Sequence, residues 1–187
     1  MIRAASDDVI EGIEHPITDP DVIVNPISGQ TVTFLSMTPL MLRTCFEVEP
    51  GRATDPRHIH PGQVETVTVI EGRIRRSLPD KTEEPLEAGQ TWEIPAGTPH
   101  TWAAIDGPVT LQIDFRPALR TRSLITRLFG LAEAGKTNSR GMPNLLQGSV
   151  IALEYQPELH LASPPWGVQK LLLTALAPLA RALGYRP

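Results

Sequence analysis

The stretch GRATDPRHIHPGQVETVTVIEG, residues 51–72, decides how this chain is read. His58 and His60 stand one residue apart, so on a strand the alternation of side chains turns both imidazoles to one face. A turn at Pro61-Gly62 follows, and Glu65 opens the run Thr66-Val67-Thr68-Val69, whose β-branched side chains favour a strand. Reversal at the turn brings a carboxylate back beside two imidazoles, a donor set suited to a metal ion. Gly72 closes the run.

Working outward, short extended runs continue on both sides. Residues 22–26 and 31–37 flank Ile27-Ser28-Gly29-Gln30, a hairpin signal, and 40–48 ends at Glu49-Pro50-Gly51. Downstream come 73–78, 91–94, 100–105 and 109–115, punctuated by Pro79-Asp80-Lys81-Thr82, Pro95-Ala96-Gly97 and Asp106-Gly107-Pro108. In the last run Val109, Leu111, Ile113 and Phe115 alternate with Thr110, Gln112 and Asp114. Nineteen prolines and fourteen glycines, scattered without period, supply the turns that many short strands need. The pattern predicts an all-β barrel or sandwich over residues 22–117, after an irregular lead-in over 1–21.

The period changes after Pro117. Leu124, Ile125, Leu128, Phe129, Leu131 and Ala132 recur at helical spacing, and so do Leu145, Leu146, Val150 and Leu153 over about 144–155. A last helix over about 167–183 carries Val168, Leu171, Leu172, Ala175, Leu176, Leu179 and Leu183 on one stripe, which is expected to pack against the barrel exterior, over its mouth or across a dimer interface. Pro178 is expected to bend that helix or begin a new turn. Residues 118–187 thus form an α-helical extension.

The net charge of -4, with no block of like charge, argues against a nucleic-acid partner. The uncharged run between Lys170 and Arg181 falls well short of the roughly 20 residues a bilayer requires, so a membrane partner is not expected. One cysteine, Cys45, excludes a disulfide framework and reads as a small packed side chain. The N-terminal MIRAASDDVIEG lacks the apolar segment of a secretory signal, and a cytoplasmic location is expected.

A second motif, GQTWEIPAGTPHTWAA, begins at Gly89 and places Pro95, Gly97 and His100 after it. Together the two segments resemble the paired motifs of the cupin superfamily. The first is carried by Gly51, His58, His60, Glu65 and Gly72, and the second by Gly89, Pro95, Gly97 and His100. The gap between Gly51 and His58 is one residue longer than usual, and Ala104 stands where the family usually has an asparagine that is not a ligand. The resemblance implies a double-stranded β-helix, or jelly-roll, barrel. It also implies a metal held by His58, His60, Glu65 and His100, and a dimer. The tail, through Phe129-Gly130-Leu131, Gly135-Lys136-Thr137-Asn138 and residues 166–184, resembles the extension of a group of small bacterial cupin proteins without a defined reaction.

Three imidazoles and one carboxylate suit one divalent transition ion (Fe, Mn, Ni, Co, Cu or Zn) better than Ca or Mg. Strand parity nominates Phe46, Val48 and Trp102 as pocket walls. On the run 73–78, Ile74, Arg76 and Leu78 share a face. Either Arg76 points inward and meets a substrate carboxylate, or it reaches solvent near the strand end. His15 and His160, outside both motifs, read as ordinary surface or core histidines. The expected function is metal-dependent chemistry on a small organic molecule, of dioxygenase type or by Lewis-acid catalysis. The alternatives are a non-enzymatic module that binds or senses a small ligand, and a barrel whose metal is structural and whose tail mediates association.

Overall fold

The computed structural model describes residues 21–49, 55–77 and 85–187. The lead-in before Asp21, Gly51 of the first motif and the expected turn over 79–82 lie outside the described residues.

Among the described residues, eleven strands and three helices follow in chain order. The strands are β1 (Val22–Asn25), β2 (Gln30–Met37), β3 (Leu42–Val48), β4 (His58–Ile59), β5 (Val64–Glu71), β6 (Arg73–Ser77), β7 (Pro85–Glu87), β8 (Thr91–Ile94), β9 (Thr101–Ala104), β10 (Val109–Arg116) and β11 (His160–Leu161). The helices are α1 (Thr121–Glu133), α2 (Leu145–Glu154) and α3 (Trp166–Ala182). One antiparallel sheet has the order β1-β2-β3-β10-β5-β8. Opposite it, β7-β6-β9 is continued by β4-β11 through a bridge between His58 and His100. These two layers make the expected jelly-roll barrel.

Alternation explains the interior. Leu42, Thr44, Phe46 and Val48 of β3 and Val109, Leu111, Ile113 and Phe115 of β10 are buried, and both rows face one apolar core. Each fully buried side chain of this size stabilises the fold by about 1.5–3 kcal/mol. Asp114, on the opposite face of β10, is also buried, because Arg43 covers it with two hydrogen bonds of 2.9 Å. Gly72 sits at φ +81° between β5 and β6, where a Cβ would lie 2.5 Å from the Pro108 carbonyl oxygen. Only glycine fits there.

The extension is bound to the barrel in successive layers. Phe129, Ile125 and Leu128 of α1 pack on the barrel core, and Leu124 and Leu131 meet Ile151 of α2. Val150 of α2 meets Ala177 and Ala180 of α3. Gln63, 1% exposed, ties the β4–β5 turn to the start of the extension by hydrogen bonds to Pro117 O, Ala118 O and Thr121 Oγ1. The extension is not wholly helical, since β11 adds an edge strand to the barrel.

The choice among expected contacts for the α3 stripe is narrowed. The helix runs through Pro178, and its buried face is Gln169, Leu173, Ala177 and Ala180. The predicted stripe faces out, with Val168, Leu171, Leu172, Leu179 and Leu183 all more than half exposed. Two alanines let α3 approach α2 closely, and a row of leucines would hold the helices apart. No helix among the described residues is long and apolar enough to cross a membrane.

Candidate metal centre

Local backbone geometry assembles the cluster. The N–H of His58 donates to His100 O at 3.0 Å and the N–H of His100 returns to His58 O at 2.9 Å, so the two motifs lie side by side. Gly97 N–H donates to His60 O at 2.9 Å. Glu65 on β5 lies opposite Phe115 of β10 on one side and Ile94 of β8 on the other. These pairings place the four expected ligands at one point: their potential donor atoms all fall within 4.8 Å of one another, and all four residues are buried.

The hydrogen bonds behind the cluster set its chemistry. His58 Nδ1 lies 2.9 Å from Pro56 O, His100 Nδ1 2.8 Å from Thr98 O, and His60 Nδ1 2.6 Å from Glu158 O. A carbonyl only accepts, so each Nδ1 carries its proton outward and each neutral imidazole presents an Nε2 lone pair. Yet His60 Nε2 and His100 Nε2 both approach Glu65 Oε2, at 3.1 and 2.9 Å. Lone pairs facing a carboxylate repel unless a cation, a proton or a metal ion, stands among them. The donor set therefore fits a transition ion, which the three Nε2 atoms and one carboxylate oxygen would hold.

Electrostatics agree. Burial, helped by His60 and His100, depresses His58 to about 3, so it stays neutral. Burial alone would raise Glu65, but hydrogen bonds from His100 and His60 outweigh it and hold the carboxyl well below its usual range. Burial likewise opposes charge on His100, and contact with Glu65 more than compensates, raising its value.

The cluster opens on a cavity of about 310 Å³. Phe46 and Trp102 line it, together with Ile113 and Phe115. Val48 is buried in the core and does not border the cavity. Nor does Arg76, whose guanidinium lies 5.7 Å from the centre of the Trp92 ring, with Nε buried and unpaired. A larger depression of about 600 Å³, along Asp21, Arg122 and Lys136, opens to solvent away from the cluster.

The residues that sequence reasoning missed come mostly from the extension. Leu124, Leu128 and Phe129 of α1, Ile151 of α2, and Leu159 complete the cavity wall. His160 lines it too, stacked on Trp166 with ring centres 4.8 Å apart. Glu158 supplies the carbonyl that orients His60, and its own carboxylate, 2% exposed, accepts from Arg120 N–H at 3.1 Å and Arg120 Nε at 3.0 Å. Asp55 borders the cavity as well; the surrounding protein raises its carboxyl in spite of a hydrogen bond from Gln30. Histidine spacing pointed to none of these.

Residues 44–113 match the family model described as the Cupin domain. The chain carries a cupin domain. Among solved structures, this cupin is similar to KdgF from a Halomonas species, with 21% identity, coverage of 55% of this chain and 92% of the other, and a TM-score of 0.48. It is also similar to an RmlC-like cupin from Shewanella frigidimarina, at 17% identity, 55% and 88% coverage, and a TM-score of 0.49. A DMSP lyase, DddQ from Ruegeria pomeroyi, shares 20% identity over 46% of this chain and 42% of its own, with a TM-score of 0.41. No curated protein matches the chain. In this cupin the matched segment ends at Ile113, so the segment from Glu158 to His160 that backs His60 lies outside it.

Proposed function

We propose that this cupin holds one divalent transition ion at His58, His60, Glu65 and His100 and acts there on a small organic molecule. The observation that carries the reading is the shared orientation of the three imidazoles: every Nδ1 is committed to a backbone carbonyl. Such a set has its lone pairs prepared before any ion arrives. A bound ion of this kind supplies Lewis-acid or O₂ chemistry at its open positions. The chain's own part is to hold the ion, to shield it with Phe46, Trp102 and the extension, and to move a proton at the Asp55 carboxyl. Asp55 is the only carboxylate besides Glu65 among the described residues that line the cavity.

Metal analysis of the purified protein tests the first half, with one equivalent expected. Oxygen consumption and product analysis against phenols, diketones and small acids test the second. A protein that loads metal and turns over nothing supports a ligand-binding module in place of an enzyme. We also assign the exposed leucine stripe of α3 to a homodimer, with a second copy of the chain covering it. A contiguous apolar face on one helix is what a symmetric interface uses and what a monomer rarely leaves in water.

A further inference from the structure

The cavity's shape and lining say more than that a small molecule fits. His58, His60 and Glu65 of the cluster line it, and most of the remaining wall is apolar, with Phe46, Trp102, Leu128, Phe129 and Ile151, beside the polar Asp55, Asn144, His160 and Gln169. Among the described residues that line it, the one lysine or arginine is Arg140, an exposed side chain. A phosphate ester or a polyhydroxylated sugar buried there would lose its water against a mostly apolar wall and regain only part of its hydrogen bonds.

The head group follows from charge. A divalent ion with three neutral imidazoles and one carboxylate keeps a single net positive charge, and Asp55 adds a second carboxyl to the cavity, so a monoanion is accommodated better than a dianion. Ser28 Oγ, in a residue 5% exposed that borders the cavity, has no hydrogen-bond partner among the described residues, so one further polar group can be met.

Glycine 148 indicates where the body goes. It lies inside α2, where glycine is the weakest helix former after proline. It lines the cavity, and a Cβ built on it would meet nothing within 4 Å. Ala152, one turn on, lines the same cavity. A Cβ would fit at Gly148 without collision and would favour the helix, yet the space is left open.

Resting on the metal reading above, we propose that the cavity takes a lipophilic monocarboxylic acid, with its carboxylate at the histidine cluster and its hydrocarbon body against α1 and α2. Gly148 and Ala152 set the permitted length. At about 30 Å³ per water the cavity holds roughly 10 waters, which corresponds to about 10–15 non-hydrogen atoms of ligand.

Calorimetric titration of the metal-loaded protein with acetate, benzoate and a naphthoate tests this, with phenyl phosphate as the dianion. Affinity is expected to rise about tenfold with each added ring, following the apolar area buried, and phenyl phosphate is expected to bind more weakly than benzoate. Gly148→Leu, which fills open space, is expected to leave acetate binding unchanged and to remove the gain for naphthoate. Ala152→Met should narrow the same end, so the test does not depend on one variant folding. Size-independent binding by a protein that holds one equivalent of metal overturns the inference and leaves the metal reading intact. Size-dependent binding that Gly148→Leu abolishes, in a protein that takes up no metal, supports the lipophilic cavity and overturns the metal reading.

Discussion

Arg120→Met separates the barrel's contribution to the centre from that of the extension. Arg120 Nε donates to Glu158 Oε1 at 3.0 Å, and its guanidinium also pairs with Glu154. Glu158 is 2% exposed, and its backbone oxygen accepts from His60 Nδ1. Methionine keeps most of the apolar stem and removes the charge. Stripping one partner from a buried ion pair costs about 3–5 kcal/mol. Here the arginine side chain is 46% exposed and the Arg120 N–H remains on the carboxylate, so water and backbone recover part of that. We expect a loss of about 2 kcal/mol, or roughly 4–8 °C in Tm for a chain of this length. The more telling readout is metal affinity, measured against a competing chromophoric chelator. Loosening the turn that orients His60 should weaken binding by about 10–100-fold, the usual effect of disturbing a ligand's outer hydrogen bond. Glu154→Gln, which touches only the exposed partner, should change neither quantity by much. If Arg120→Met lowers stability while metal affinity stays within about twofold of wild type, the extension does not position His60 and the reasoning fails.

Glu65→Gln removes the one anionic ligand and should lower metal affinity by at least about 100-fold in the same titration, while the barrel's circular dichroism is kept. In the metal-free protein, acid should act through His58: its folded value near 3 lies below the unfolded value, so its contribution is full above about pH 6.5 and is lost as pH falls toward 3. That amounts to at most about 5 kcal/mol. Glu65, also held low, adds loss in the same direction below about pH 4.5, whereas His100, held high, favours the fold at low pH and loses its contribution as pH rises through its folded value. Urea unfolding across this range should therefore show stability falling on acidification, and a flat profile would contradict the buried neutral His58. Gly72→Ala should cost about 2 kcal/mol or more, because its positive φ and the Pro108 carbonyl both oppose a Cβ. Sedimentation should show a dimer that Leu171→Glu with Leu179→Glu converts to monomers; a wild-type monomer would remove the α3 interface.

What was legible in the sequence was what periodicity and spacing encode. Parity of two puts His58 and His60 on one face and buries Leu42, Phe46, Leu111 and Ile113, and the barrel needs little else. The partner of His60 was not legible, because the atom that orients it is a backbone oxygen, and every residue has one. Only the fold of the extension decides that Glu158 supplies it. The buried Arg120–Glu158 pair is hidden for a similar reason: 38 residues separate two charges that in sequence resemble any other solvated pair. On α3 the choice of the face that packs within the fold is more instructive. Hydrophobicity marks where apolar area is largest, and that rule selected the leucines. Close helix packing selects instead for side chains small enough to let two backbones approach, and that rule selected Ala177 and Ala180. Where large and small apolar residues occupy different faces of one helix, the small face is used within the fold. The large face is then the one left for a partner, so its exposure is itself the argument for the second copy that sedimentation tests.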